Sequence, residues 1–172
     1  MKLEYIFNSS ANEGAIKIKD ISKEKFDQLC KMLDIASKDE SLQKNIKIII
    51  AGSRSFTNYL KLCKEINAYI SHLQQLTGLK LNITIISGTA KGADTLGEVY
   101  ARRHGYICRR MPAQWNIYGK SAGIIRNGQM ARFANSDAHG VLFAFWDGKS
   151  PGTLNMIDEA KKENLEIHII RF

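Results

Sequence analysis

From residue 46 to the carboxyl end the chain alternates five short strand-like runs with four stretches of helical periodicity, and this alternation limits the possible folds more than any other feature. The runs are Ile46 to Ala51, Asn82 to Ser87, Tyr106 to Met111, Ala138 to Trp146 and Glu166 to Phe172. Between them lie predicted helices at Thr57 to Thr77, Ala90 to His104, Ser121 to Ala134 and Gly152 to Asn164. The first helix repeats Leu60, Cys63, Ile66, Ile70 and Leu73 at helical spacing and stops at Gly78, and the second stops at Gly105, where helix carboxyl caps are expected. Strands that alternate with helices predict an α/β fold: a doubly wound, Rossmann-like, mainly parallel sheet of five strands with right-handed crossovers.

Residues 1–45 break this pattern. Leu3, Tyr5 and Phe7 alternate, as do Ile16 and Ile18, with turn residues from Asn8 to Gly14, and Phe26, Leu29, Cys30 and Leu33 follow at helical spacing. A small β-hairpin-plus-helix extension is expected there, with the main domain at 46–172. Charge divides at nearly the same place. Eight Lys balance eight acidic residues through Lys44, whereas 17 Lys and Arg face 9 Asp and Glu afterwards, so the net charge of +8 belongs to the second segment. A basic domain suits an anionic partner, either nucleic acid or a phosphorylated small molecule.

Composition excludes several classes. With 44% apolar and 24% charged residues, the chain is neither disordered, collagen-like nor coiled-coil. Its longest apolar runs fall far short of the ~20 residues of a membrane span, and the amino end lacks a signal-peptide pattern. No membrane partner and a cytoplasmic location are expected. Three cysteines, Cys30, Cys63 and Cys108, permit neither a disulfide framework nor a CxxC site and read as buried thiols. His72, His104, His139 and His168 show no metal-ligand spacing and read as structural. No metal and no cofactor are expected.

Glycine placement carries the functional signal. Seven of the 13 glycines (52, 88, 92, 119, 123, 148 and 152) lie in segments that follow the carboxyl ends of four strands. In an open parallel sheet, ligands bind at that edge, and glycine lets backbone amides approach a phosphate. The four segments are therefore expected to share one crevice. Gly52, Ser53 and Arg54 offer bare backbone, a hydroxyl and a planar cation for a phosphate or carboxylate. Ser87, Gly88, Thr89, Gly92 and Asp94 precede or open a helix whose free amides favour anions. Asp94 itself has three readings: acceptor for a ribose hydroxyl, carboxylate at an anomeric carbon, or helix cap. Asp147, Gly148, Ser150, Gly152 and Thr153 open the last helix with Pro151 in its first turn.

Tempting motifs fail. Gly119-Lys120-Ser121 and Gly148-Lys149-Ser150 resemble the ends of phosphate-binding P-loops, but the glycine required five residues earlier is Gln114 in one and Phe143 in the other. GxGxxG and HExxH are missing. Trp115 lies in a polar stretch and Trp146 beside Asp147-Gly148, so either ring is a candidate base-stacking platform. Arg126 and Asn127 follow Gly123 on the third predicted helix, within reach of the crevice.

Taken in order, Gly52-Ser-Arg-Ser-Phe56, Ser87-Gly-Thr-Ala-Lys-Gly-Ala-Asp94, Trp115 with Gly119, Ala122-Gly123 with Arg126-Asn127 and Met130, and Trp146-Asp-Gly-Lys-Ser-Pro-Gly-Thr153 with Met156-Ile157 resemble the YspA/YpsA-related branch of the SLOG superfamily over residues 46–172. The resemblance implies a nucleotide-related ligand, since the superfamily includes the Lonely Guy phosphoribohydrolases, the DNA-processing protein DprA and sensors of ADP-ribose-derived signals. Arg126 resembles the helix arginine of the Lonely Guy enzymes. Their catalytic glutamate, in PGGxGTxxE, falls on Met156 when Gly152-Thr153 is aligned with the motif.

The expectation is a binding or sensing module for a nucleotide-derived small molecule. An alternative is N-glycosidic hydrolysis, with Asp94, Arg126 and Asp147 as the tentative catalytic set. A further alternative is DprA-like binding of single-stranded nucleic acid, for which a stripe through Arg102, Arg103, Arg109 and Arg110 would speak. A homodimer is expected from surplus apolar residues on the first helix and the amino-terminal hairpin.

Overall fold

The computed structural model describes residues 43–172, together with Lys25 and Gln28. The hairpin and helix expected within residues 1–45, and Cys30, lie outside the described residues. Residues 43–172 form one compact unit. Its strands are β1 (Gln43–Gly52), β2 (Lys80–Ser87), β3 (Ile107–Arg110), β4 (His139–Trp146) and β5 (Glu166–Arg171). They form one sheet in the order β3-β2-β1-β4-β5, and every neighbouring pair is parallel. The expected doubly wound α/β architecture is what the chain adopts.

Strand β1 sits at the centre, and its side chains alternate between two cores. Ile46, Ile48 and Ile50 join Val141, Phe143 and Phe145 of β4 under α1 (Tyr59–Thr77) and α2 (Ala93–His104). Ile49 and Ala51 join Leu142 and Ala144 on the opposite face. That face is covered by α4 (Ala122–Asn135) and α5 (Pro151–Lys162), through Met130, Ala131, Ala134, Met156, Ile157 and Ala160. Each fully buried Ile contributes roughly 1.5–3 kcal/mol relative to exposure, so burial on both faces fixes the register of β1.

Several boundaries differ from the sequence reading for local reasons. Strand β1 begins at Gln43 because its backbone ladder continues past the apolar run, and Asn82 Nδ2 donates to Asn45 Oδ1 at 2.9 Å. Helix α1 starts at Tyr59, where the Asn58 side chain accepts from Lys61 N, a standard amino cap. Its buried face runs through Leu62, Ile66, Ile70 and Leu73, whereas Leu60 is exposed. Helix α2 starts three residues late because Gly92 adopts a positive φ of 85°, which helical residues cannot do. A four-residue helix, α3 (Trp115–Tyr118), and a 3₁₀ turn at Gly119–Ser121 lie within the stretch read as a loop. Cys63 and Cys108 are free thiols and only half-buried. Among the described residues no helix is long and apolar enough to cross a membrane.

Candidate functional site

The strand order makes β1 and β4 neighbours whose chains leave toward opposite faces, β1 into α1 and β4 into α5. A crevice opens at such a switch point because the two departing loops separate. A cavity of about 340 Å³ is found there. Gly52 and Arg54 line it from the β1 loop, Asp94 from α2, and Trp115 from α3. Gly123, Arg126 and Asn127 of α4 line it too, as do Gly152 and Thr153 of α5 with Ser150 just before them.

Asp94 is 4% exposed, in the second position of α2 beyond the capping residue Gly92, so it does not cap the helix. Its Oδ2 accepts weakly from Ala90 N at 3.4 Å. Burial pushes its carboxyl up to about 6, and Arg126 and the amides of Ala90 and Gly88 pull the other way. Arg126 is itself partly desolvated, which lowers its basicity while Asp94 raises it; as a guanidinium it stays charged. Its Nη1 donates to Gly88 O and its Nε to Asn127 Oδ1 at 3.0 Å.

Gly88 is required by this packing. A Cβ there would overlap the Arg126 guanidinium and stand 2.7 Å from Asp94 Oδ2. The neighbouring Thr89 takes a left-handed conformation, which costs a β-branched residue roughly 1–3 kcal/mol. Its amide donates to Ser87 Oγ at 3.0 Å, and Ser87 Oγ in turn donates to Glu98 Oε1 at 2.9 Å. This chain of bonds fixes the Gly88 carbonyl that receives Arg126.

Several residues singled out from the sequence do not line the cavity. Ser53 is buried, and its Oγ accepts from Asp147 N at 3.2 Å, which ties the β1 loop to the β4 loop. Ser87, Gly88 and Thr89 lie behind Arg126 as described. Gly92 lies against the β1 loop, where a Cβ would overlap Ser53 O. Asp147 is exposed, and its Oδ1 accepts from Ser150 N at 2.8 Å and Lys149 N at 2.9 Å. Those two amides hold its carboxyl below the usual range, so it braces a turn instead of facing the crevice. Gly148, with φ of 82°, lies beside Arg171.

The two tryptophans separate. Trp146 is half-buried in the second core, donates Nε1–H to Ser150 O at 3.1 Å and lies under Arg171 at 4.1 Å. Trp115 is 56% exposed, with its ring edge 3.5 Å from where Gly123 would carry a Cβ. Lys120 and Asn155 line the cavity as well, and sequence reasoning missed both. Lys120 sat in the rejected P-loop look-alike, and Asn155 becomes visible only when one turn of α5 is laid on Gly152. Met156, in the position of the Lonely Guy glutamate, is 1% exposed and forms cavity wall.

The histidines remain on structural duty where contacts are seen. His139 and His168 hold the two oxygens of Glu166 at 2.8 and 2.7 Å, and Tyr69 donates to the same carboxylate at 2.9 Å. Among the described residues no three His, Cys, Asp or Glu side chains gather into a metal-holding group.

Comparison with known proteins agrees with the glycine-loop pattern. The sequence model of the YspA, cpYpsA-related SLOG family matches residues 46–118. The Gene 61 protein of Mycobacterium phage D29 is 28% identical over 126 residues, covering 70% of this chain and 93% of the phage protein. No solved structure matches the chain. Over residues 46–118, which carry the β1 loop, the Ser87-to-Asp94 loop and Trp115, the chain is thus similar to the YspA, cpYpsA-related SLOG family.

Proposed function

We propose that the crevice binds a nucleotide or nucleotide-derived small molecule and that the protein acts as a sensor or binding module. The observation that carries this reading is the convergence, on one cavity, of Gly52 and Arg54, the amino ends of α4 and α5, and the buried Asp94 with the half-buried Arg126. Arg54 and the α5 end suit a phosphate. Asp94 suits a ribose hydroxyl, and the exposed Trp115 ring suits a base. Similarity to the SLOG family supports a nucleotide-related ligand. The replacement of the Lonely Guy glutamate by buried Met156 favours binding over that mechanism.

A hydrolytic reading keeps one specific support: Asp94, held near pKa 6 in the cavity, is tuned for proton transfer near neutrality. Nucleic-acid binding has less. Of the four arginines on the expected stripe, Arg110 pairs with Glu98 at 3.1 Å, Arg103 lies over Tyr59 and Arg109 over Phe133, whereas Arg54, Lys120 and Arg126 gather at the cavity. The test is a thermal-shift screen with nucleoside mono- and diphosphates and ADP-ribose, with free base assayed in parallel. A shift without base release is expected. Base release that Asp94→Asn abolishes would promote the hydrolase.

A further inference from the structure

The sequence places Asn127 within reach of the crevice, yet its hydrogen bonds describe a different task from ligand contact. It is 6% exposed. Its Nδ2 donates to Gly152 O at 3.2 Å and to Asn155 Oδ1 at 2.8 Å, and its Oδ1 accepts from Arg126 Nε at 3.0 Å. Both amide hydrogens are thus committed to α5, and the oxygen holds the guanidinium, so the side chain has no donor left for a ligand. Consecutive helical residues point about 100° apart, which lets Arg126 reach Gly88 O on one side of α4 while Asn127 reaches α5.

We propose that Asn127 is a positioning residue that ties the Arg126 guanidinium to the amino end of α5, so that cation and helix end form a single receptor for one phosphate-class anion. This rests on the nucleotide-binding reading above. Two of the five guanidinium donors are spent on holding the group, one by Gly88 O and one by Asn127 Oδ1, and three remain for an anion. An arginine side chain fixed in advance loses less entropy on binding, and removing the brace restores that cost.

Two readouts test the proposal on the full chain. A crystal structure of Asn127→Ala should show Arg126 released from Gly88 O. Arg126 still seated on Gly88 O would overturn the proposal without reference to any ligand. If Asn127→Ala does not fold, Asn127→Ser, too short to span Arg126 Nε and Gly152 O, serves the same reading. Calorimetry with AMP across wild type, Asn127→Ala, Arg126→Ala and the double variant should show about a tenfold loss for Asn127→Ala. The double variant should bind no more weakly than Arg126→Ala, because the brace acts only through the arginine. Additive losses would mark a merely structural role and overturn it. A wild type that binds no AMP would count against the nucleotide reading, and the crystal structure would still decide the positioning role.

Discussion

Asp94→Asn should make the protein more stable while impairing its site. Burial raises this carboxyl from an ordinary 3.8 to about 6. At ~1.36 kcal/mol per pH unit, holding it ionised at pH 8 costs about 3 kcal/mol of folding stability. The attraction of Arg126 is already contained in that figure. A group whose folded value lies above its unfolded one favours folding most below the unfolded value. That contribution fades between pH 4 and 6 and is gone above the folded value. Neutral, isosteric Asn removes the cost. The variant should therefore gain roughly 3 kcal/mol at pH 8, a rise of about 6–12 °C in Tm for a domain of this size, and match wild type below pH 4. Urea or thermal unfolding at half-unit steps from pH 4 to 8 measures this directly. A variant no more stable than wild type at pH 8, or one whose difference from wild type does not change with pH, would refute the assignment of Asp94 as a destabilised, functional carboxylate. Stability given up in this way is typical of binding and catalytic sites.

Other expectations follow from the same geometry. Gly88→Ala should displace the Arg126 guanidinium and lower stability by about 1–3 kcal/mol through overpacking, read as a shift of the urea midpoint, with nucleotide binding lost alongside. Arg54→Ala should weaken nucleotide binding by about 1.5–3 kcal/mol, the usual worth of a charge-assisted hydrogen bond, and calorimetry would show it. Binding to single-stranded oligonucleotides should be weak and fall about a thousandfold or more between 50 and 200 mM salt if ~6 phosphates are engaged. Nanomolar oligonucleotide affinity that survives 200 mM salt would sink the small-ligand reading.

The fold was legible because β1 contains the unbroken apolar stretch Ile48 to Ala51 and β4 the stretch Val141 to Trp146, which is the mark of strands covered on both faces, and because glycines punctuate the carboxyl ends of α1 and α2. The shared crevice was legible because parallel topology sends every strand's carboxyl end to one edge. Division of labour within the crevice was not. Periodicity cannot tell that the Asp147 carboxylate is consumed by two amides of its own turn, or that Asn127 turns toward α5. Nor does spacing reveal that Gly88 is bare so that Arg126 can lie against it. Each depends on which residues meet across separate loops. Leu60 fits the helical repeat as well as Leu62 does, and the sheet decides between them by covering only one side of α1.

An amide NMR titration of the full chain with AMP, ADP and ADP-ribose shows whether the glycine loops form one nucleotide-binding crevice. Saturable shifts are expected for at least one of the three, concentrated at 52–54, 88–94, 123–127 and 150–155, and lost in Gly88→Ala. Shifts centred instead on Arg102, Arg103, Arg109 and Arg110, or none with any of the three, would contradict a shared nucleotide-binding crevice.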